Sequence, residues 1–164
     1  MKEITILLTK HNDLVSTIIY WFCGFKYNHS SISLEDNPKQ FYSFNKKGFA
    51  IESLEKHKRH GVKKSCCYKI KISKEKYNEL KERIEEFKNN KEHYSYNTLG
   101  VVMCILNIPM PKREKKYFCS QFLAEVLHNS KAINMPRRAN LTKPNHFIRF
   151  LEKYPYAFKI ENVV

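Results

Sequence analysis

The amino-acid sequence predicts an α+β fold in which a small antiparallel sheet packs against helices. The segments "HSSISL" and "SCCYKIKIS" alternate in polarity as half-buried strands do. Residues 74–90 and 119–129 instead repeat apolar side chains at three- and four-residue spacing, which is typical of helices with one buried face. Strands and amphipathic helices therefore share one chain.

Length and composition predict a single domain over residues 1–164. The chain has 164 residues, 42% of them hydrophobic, which is enough to bury a core without disulfides or a metal. With 4 Gly and 6 Pro there is no room for a long flexible linker. We find no internal repeat.

The first third of the chain predicts a strand, a helix and a hairpin. Residues 3–8 form a β-rich apolar run, and Asn12 or Asp13 can cap a helix that ends at Gly24. Two alternating segments flank the turn-rich "EDNPK", so residues 29–45 predict a β-hairpin with a loop of about five residues.

The middle of the chain predicts two strands separated by a basic loop. "GFAIES" is a short strand, and "HKRHGVKK" is expected to be an exposed loop in which His57 is solvated. In "SCCYKIKIS" the alternation places Cys66 in the core and Cys67 in solvent.

Three further helices and a final strand complete the prediction. Ser73 can cap the helix over residues 74–90, and "YNTLGVVMCILNIP" predicts a more apolar helix, stopped by Pro109, with Cys104 buried. Another helix begins at Cys119. Thr142 can cap the last helix, whose first turn contains Pro144, and "AFKIENVV" predicts a strand.

The charge balance predicts attraction to anionic partners. Thirty Lys and Arg residues against 16 Asp and Glu give a formal charge of +14. The lysines are scattered and no nucleic-acid-binding signature is present, so specific nucleic-acid recognition is not expected. The N-terminal segment lacks a secretory pattern, and no run reaches the ~18 apolar residues of a membrane span. We therefore expect a cytoplasmic protein with free thiols.

Cys119 is a candidate nucleophile because it lies where a helix begins. In the first helical turn, unpaired backbone N–H groups and the positive end of the helix dipole favour thiolate over thiol. A buried, inert cysteine packed between Phe118 and Phe122 is the competing interpretation, and the local pattern alone favours it.

His29 is the candidate base. A nucleophilic thiol needs a base, and the other six histidines lie in charge-rich loops, caps or helix ends, where a solvated imidazole is the ordinary interpretation. His29 instead begins a strand, so the sheet can fix its ring. A surface histidine at a strand edge is the alternative.

Taken together, the segments resemble a known superfamily over nearly the whole chain. The order of "LLTKHNDLVSTIIYWFCGFKYNHSSISL", "FYSFNKKGFAIE", "YNTLGVV", "YFCSQFLAEVL" and "LTKPNHF" is similar to that of circularly permuted papain-like hydrolases of the NlpC type, above all the YiiX-like permuted amidases. The resemblance implies a permuted papain-like fold and cysteine-dependent acyl chemistry. It makes Cys119 the nucleophile and His29 the base.

The resemblance also implies a polar residue that orients the imidazole from the following strand. A turn centred near Asn37 would lay Ser43 and Asn45 beside His29, so these two are the candidates, with Glu52 as a further alternative. Thr9, Tyr117 and Ser120, within the similar segments, are candidate substrate-binding residues.

Several functions remain open at this stage. The expected substrate is an acylated small molecule, peptide or lipid, and hydrolysis is the favoured reaction. Lipid acyl transfer and a basic binding module for anionic polymers or membrane surfaces are the alternatives. A zinc site at His57, His60, Cys66 and Cys67 is disfavoured because adjacent strand cysteines point to opposite faces. No phosphate-binding glycine motif is present, so no cofactor is expected.

Overall fold

The computed structural model describes residues 1–11, 24, 26–62, 64–111 and 113–164. Its main sheet has six strands in the order β4-β3-β2-β1-β5-β8, and every neighbouring pair is antiparallel. These strands are β1 Lys2–Lys10, β2 His29–Ser33, β3 Phe41–Asn45, β4 Gly48–Glu52, β5 Lys64–Ile72 and β8 Ala157–Glu161. The short strands β6 Ser95–Tyr96 and β7 Lys116–Tyr117 form a separate parallel pair.

Five helices accompany the sheet in the described part of the chain. They are α1 Leu54–Arg59, α2 Lys74–Asn89, α3 Thr98–Ile105, α4 Cys119–Asn129 and α5 Pro144–Leu151. Helix α4 packs against β2, β3 and α2. The structure is thus the predicted α+β arrangement of an antiparallel sheet against helices. None of the described helices combines the length and the apolar character needed to cross a membrane.

Strand β1 lies inside the sheet, and the middle of one of its faces is apolar. Ile4, Ile6 and Leu8 are fully buried in the main core, and β1 pairs with β2 on one side and β5 on the other. Alternate residues of a strand face opposite sides of a sheet. Leu7 therefore joins a second, smaller cluster on the other face.

Two consecutive hairpins carry β2, β3 and β4. Ile32 pairs with Tyr42, each five positions from Asn37, which confirms the predicted centre of the first turn. Its connection spans residues 34–40 and is longer than predicted. The second hairpin turns at Lys46 and Lys47, and Gly48, which follows the turn as the first residue of β4, has a φ of 101° that suits glycine. The tight turn brings β4 back beside β3, with Phe41 opposite Glu52.

A cluster of aromatic rings joins the sheet to the helices. Phe44 and Phe122 have ring centroids 5.3 Å apart, and Phe87 of α2 lies 5.0 Å from Phe122. Tyr117 is 5.3 Å from Phe44. Aromatic pairs at such distances stabilise a core beyond the area that they bury. The cluster fixes α4 over β3.

The helix boundaries agree with the sequence at α2 and differ at α3 and α5. Ser73 caps α2 as predicted, its Oγ accepting a hydrogen bond from Lys76 N at 3.3 Å. Helix α3 ends at Ile105, before Pro109. Helix α5 is preceded by Lys143 rather than capped by Thr142, because the Thr142 hydroxyl donates to the Arg138 carbonyl at 3.0 Å.

Two predictions about the middle of the chain are wrong. Cys67 is 3% exposed, not solvated, because it packs with Leu7 and Phe41 on the second face of the sheet. Part of the predicted basic loop is helix α1, which buries His57. The predicted helix from Asn12 or Asp13 to Gly24 lies outside the described residues.

Candidate functional site

The candidate site lies where three elements of the fold end or begin. His29 is the first residue of β2, Glu52 is the last residue of β4, and Cys119 is the first residue of α4. Because α4 packs on β2, its N-terminus reaches the start of that strand. The fold thus brings together the two residues that the sequence predicted as nucleophile and base.

The position of Cys119 is set by strand β7, which ends at Tyr117, two residues before α4 begins. Strand β7 is fixed by parallel pairing with β6, and Asn97 N donates to Tyr117 O at 3.0 Å. The next residue, Phe118, is extended and has no side chain that can cap, so α4 begins with uncapped N–H groups. Cys119 is 6% exposed, and the His29 side chain lies close enough to its thiol to change the pKa of that thiol.

The electrostatics at Cys119 favour the thiolate. Burial alone raises the pKa of this thiol, but the hydrogen bond and positive charge of His29, helped by the backbone and side chain of Ser30, lower the pKa below its usual value. The thiols of Cys67 and Cys104 behave in the opposite way, since burial raises the pKa of each to about 11.

Glu52 holds the other side of the His29 ring. His29 Nε2 donates to Glu52 Oε2 at 2.8 Å, and the carboxylate is 6% exposed. Burial opposes charge on both groups, but their pairing prevails: the pKa of His29 is well above its usual value and the pKa of Glu52 falls to about 2. With Nε2 engaged, Nδ1 is the ring nitrogen left for the thiol.

Two further histidines surround the carboxylate. His57 Nε2 lies 3.5 Å from Glu52 Oε2, and the His11 ring packs edge-on against His29 with centroids 5.2 Å apart. Asn28 fixes His11 by exchanging two hydrogen bonds with its backbone, at 2.9 and 2.8 Å. Burial lowers the pKa of His57 to about 4, so this imidazole is neutral at pH 7.

Ser43 and Asn45, the first candidates for the orienting residue, are occupied elsewhere. The Ser43 hydroxyl donates to Ser30 O at 2.7 Å, and Asn45 Oδ1 accepts from Lys47 N at 2.9 Å within the β3–β4 turn. The residue placed against the imidazole is therefore Glu52, the remaining alternative from the sequence.

The three candidate substrate-binding residues are all buried. Ser120 adjoins Cys119, but its hydroxyl donates to Thr142 O at 2.6 Å. Tyr117 belongs to the aromatic cluster and its hydroxyl donates to Glu125 Oε1 at 3.3 Å. Thr9 is fully buried and pairs with His29 across β1 and β2. Their proposed contact with substrate stays a prediction.

A polar cavity of about 340 Å³ opens beside His29 and Glu52. Its lining includes His57 and His60 together with three lysines, Lys46, Lys47 and Lys56. On the other side of Asn28, a smaller apolar cavity of about 40 Å³ reaches Cys119, between Ile105 and Pro144. Cys119 thus lines the apolar cavity, and His29 lines the cationic one.

The sequence contains one signal for Glu52 and little for His57. In "GFAIES" the residues Gly48, Ala50 and Glu52 lie on the same face of the strand. A carboxylate that is buried on a strand face needs a hydrogen-bonding or charged partner, so Glu52 was a residue to pair with a nearby base. His57 lies in a helix of six residues, too short for a periodic pattern to reveal its buried side.

No protein-family model matches the sequence, and no curated protein matches it. Among solved structures, the chain is similar to the crystal structure of the metalloprotein yiiX from Escherichia coli O157:H7. The two share 11% sequence identity and a TM-score of 0.55 over 97% of this chain and 96% of that chain. At this identity the likeness concerns the fold alone, and the fold is YiiX-like.

The site of this chain does not fit a metal ion. Among the described residues, no three His, Cys, Asp or Glu side chains are arranged to hold one. Near Glu52 the atoms that could bind a metal are hydrogen-bonded to each other, since Glu52 Oε2 accepts a hydrogen bond from His29. The zinc site weighed from the sequence would need Cys66 and Cys67 together with His57 and His60. Cys66 and Cys67 lie in separate clusters on opposite faces of the sheet, so they cannot bind one ion.

Proposed function

We propose that the protein is a cysteine-dependent hydrolase that acts on an amide, thioester or ester. Cys119 is the nucleophile, His29 the general base and acid, and Glu52 the residue that orients the imidazole. The observation that carries this proposal is the position of His29, which is hydrogen-bonded to Glu52 at 2.8 Å and also lowers the pKa of the Cys119 thiol. A thiol, an imidazole and an orienting polar group in series form a catalytic triad.

The charges along this chain support the assignment. The lowered pKa of Cys119 and the raised pKa of His29 favour a thiolate beside an imidazolium. The Glu52 carboxylate stabilises that imidazolium and fixes the tautomer of the ring. A structural cysteine would instead resemble Cys104, whose pKa burial raises to about 11.

The reaction divides into two steps. The Cys119 thiolate attacks the acyl carbon, and the oxygen of the tetrahedral intermediate faces the N–H of Cys119 at the start of α4. The imidazolium of His29 donates its proton to the leaving amine, thiol or alcohol as the bond to carbon breaks. Water, deprotonated by His29, then attacks the acyl carbon of the thioester; the C–S bond breaks, the carboxylic acid leaves, and Cys119 is restored as a thiolate beside the protonated His29.

The fold is in keeping with a circularly permuted papain-like hydrolase. In that arrangement the histidine strand precedes the cysteine helix in sequence. Here His29, at the start of β2, precedes Cys119, at the start of α4, by 90 positions. The placement of Glu52, His29 and Cys119 is what supports this relationship. The papain-like relationship remains part of the proposal.

Alkylation by iodoacetamide at pH 7 tests the proposal directly. Peptide mass spectrometry of the treated protein gives a rate for each cysteine. Cys119 should react about 100-fold faster than Cys104, because thiolate reacts and thiol does not. His29→Ala should remove most of this advantage while leaving Cys104 unchanged.

Turnover supplies the second half of the test. A panel of nitrophenyl esters, acyl thioesters and anilides should reveal hydrolysis that Cys119→Ala abolishes and Cys104→Ala preserves. Equal alkylation of Cys119 and Cys104 would overturn the enzyme proposal in favour of a basic binding module.

A further inference from the structure

We propose that the 340 Å³ cavity beside His29 binds an anionic group of the substrate, so that the enzyme acts on acyl compounds that carry a carboxylate or phosphate near the scissile bond. This inference rests on the proposed function, because it names the class of substrate for the same site. We call the cavity, with its lysines Lys46, Lys47 and Lys56, the anion subsite.

The first support is the placement of the three lysines. Lys46 and Lys47 form the β3–β4 turn, and Lys56 lies in α1, so two separate elements contribute lysines to the lining of one cavity. Within the described ranges, none of the three forms an ion pair with a carboxylate. The charges are thus available to a ligand.

The second support is the state of Glu52, the only carboxylate among the described residues of the lining. Glu52 is hydrogen-bonded to His29 at 2.8 Å, so its charge is paired inside the site. No other described lining residue offers the lysines a carboxylate. A concave site lined by one sign of charge concentrates ions of the opposite sign.

The third support is the size of the cavity. Its volume of about 340 Å³ lies within the range of small-ligand sites. The cavity therefore has room for an anionic group of a small substrate.

Three alkylating reagents with one reactive group test the anion subsite. N-iodoacetylethanolamine is neutral, N-iodoacetylglycine carries a carboxylate, and N-iodoacetyl-O-phosphoethanolamine carries a phosphate. The rate at Cys119 for each anionic reagent, divided by the neutral rate, measures attraction apart from thiol reactivity. The two anionic arms show which of the two groups the site prefers.

The matched variants separate the anion subsite from the general basic field. The triple variant Lys46→Gln, Lys47→Gln, Lys56→Gln should lower the anionic-to-neutral ratio about tenfold, and division by the neutral rate removes any change in the reactivity of the thiol itself. The control Lys74→Gln, Lys81→Gln, Lys91→Gln removes the same charge from exposed positions outside the cavity. An equal fall in both variants, or no fall in the first, overturns the inference.

A binding measurement keeps the two proposals distinguishable. If the neutral reagent reacts no faster at Cys119 than at Cys104, the hydrolase proposal fails and alkylation no longer reports on the cavity. Titration with O-phosphoethanolamine, followed through the imidazole NMR signals of His57 and His60, then decides. Shifts that the site variant abolishes support the anion subsite, and their absence in the wild type overturns it.

Discussion

His29 Nε2 lies 2.8 Å from Glu52 Oε2, and this hydrogen bond joins β2 to β4 over the intervening strand β3. The Glu52 carboxylate, which we propose to orient the imidazole, therefore comes from β4, two strands away from β2 in the sheet. Its position depends on the tight turn before Gly48, which returns the chain beside β3 so that β4 ends near the start of β2. A site built this way depends on the hairpin as much as on its side chains.

Glu52→Gln should lower the rate of Cys119 alkylation and any acyl turnover by about 100-fold. The neutral amide cannot stabilise the imidazolium, so the thiolate population falls. Second-order rate constants for iodoacetamide at pH 7 measure the effect. Ser43→Ala is the matched control: losing its bond to Ser30 O costs about 1 kcal/mol of stability and should leave the alkylation rate unchanged.

The result for Ser43→Ala also discriminates between the two candidate orienting residues. If Ser43→Ala, and not Glu52→Gln, altered the pH dependence of alkylation, the observed pairing of Glu52 with His29 would have no role in the chemistry.

The alkylation of Cys119 should reach half its maximal rate below pH 9, the usual pKa of a thiol. His29 lowers the pKa of Cys119, so the thiolate is retained as the pH falls toward neutrality. In His29→Ala the cause of the lowering is removed and burial raises the pKa, so the midpoint should move above pH 9. A stopped-flow pH profile with iodoacetamide shows both midpoints, and coincident midpoints would exclude coupling of the two residues.

The protein should lose stability between pH 6.5 and pH 4 because of His57. Its pKa falls from 6.5 to about 4 in the folded state, so over this window the unfolded chain binds a proton that the folded chain does not. The loss from pH 7 to pH 5 is about 2 kcal/mol. His29 has a raised pKa, so its contribution is complete below pH 6.5 and is lost only at higher pH.

Urea denaturation at pH 7 and pH 5 measures this loss. His57→Gln should reduce the difference between the two pH values by about 2 kcal/mol, the share that His57 contributes. His146→Gln is the companion variant, because burial and neighbouring cations lower the pKa of His146 to about 4 as well. A His57→Gln protein that retained the full pH dependence would contradict the assignment to His57.

Gly48→Ala should destabilise the fold by about 2 kcal/mol more than Gly61→Ala. Both glycines have positive φ, of 101° and 71°, so both substitutions strain the backbone. At Gly48 an added Cβ would also lie 2.5 Å from the Tyr94 carbonyl oxygen, whereas at Gly61 it meets nothing within 4 Å. Midpoints of thermal or urea unfolding provide the comparison, and equal losses would contradict the steric explanation.

The sequence predicted those parts of the fold whose signals are local. The alternation in "HSSISL" and "QFYSFN" located the first hairpin and its centre at Asn37, since register follows from turn position. The periodic spacing of Leu80, Ile84 and Phe87 located α2, and all three are buried. The beginning of α4 at Cys119 also agrees with the sequence.

The parts that the sequence left open depend on long-range packing. Which of Ser43, Asn45 and Glu52 meets the His29 ring depends on how β4 returns along β3, and no local pattern contains that information. Burial of Cys67 likewise depends on the second face of the sheet, where Val163 and Val164 pack against its cluster.

The separation of His29 and Cys119 along the chain makes the reactivity of this thiol a property of the folded state. In an unfolded or partly synthesised chain, Cys119 has no imidazole beside it and is an ordinary, weakly ionised cysteine. Most buried thiols are alkylated faster when a protein unfolds. Cys119 would instead be alkylated more slowly after unfolding, and its rate would recover on refolding. Fast alkylation of Cys119 would therefore report the folded population, whereas alkylation of Cys104 would report the unfolded one.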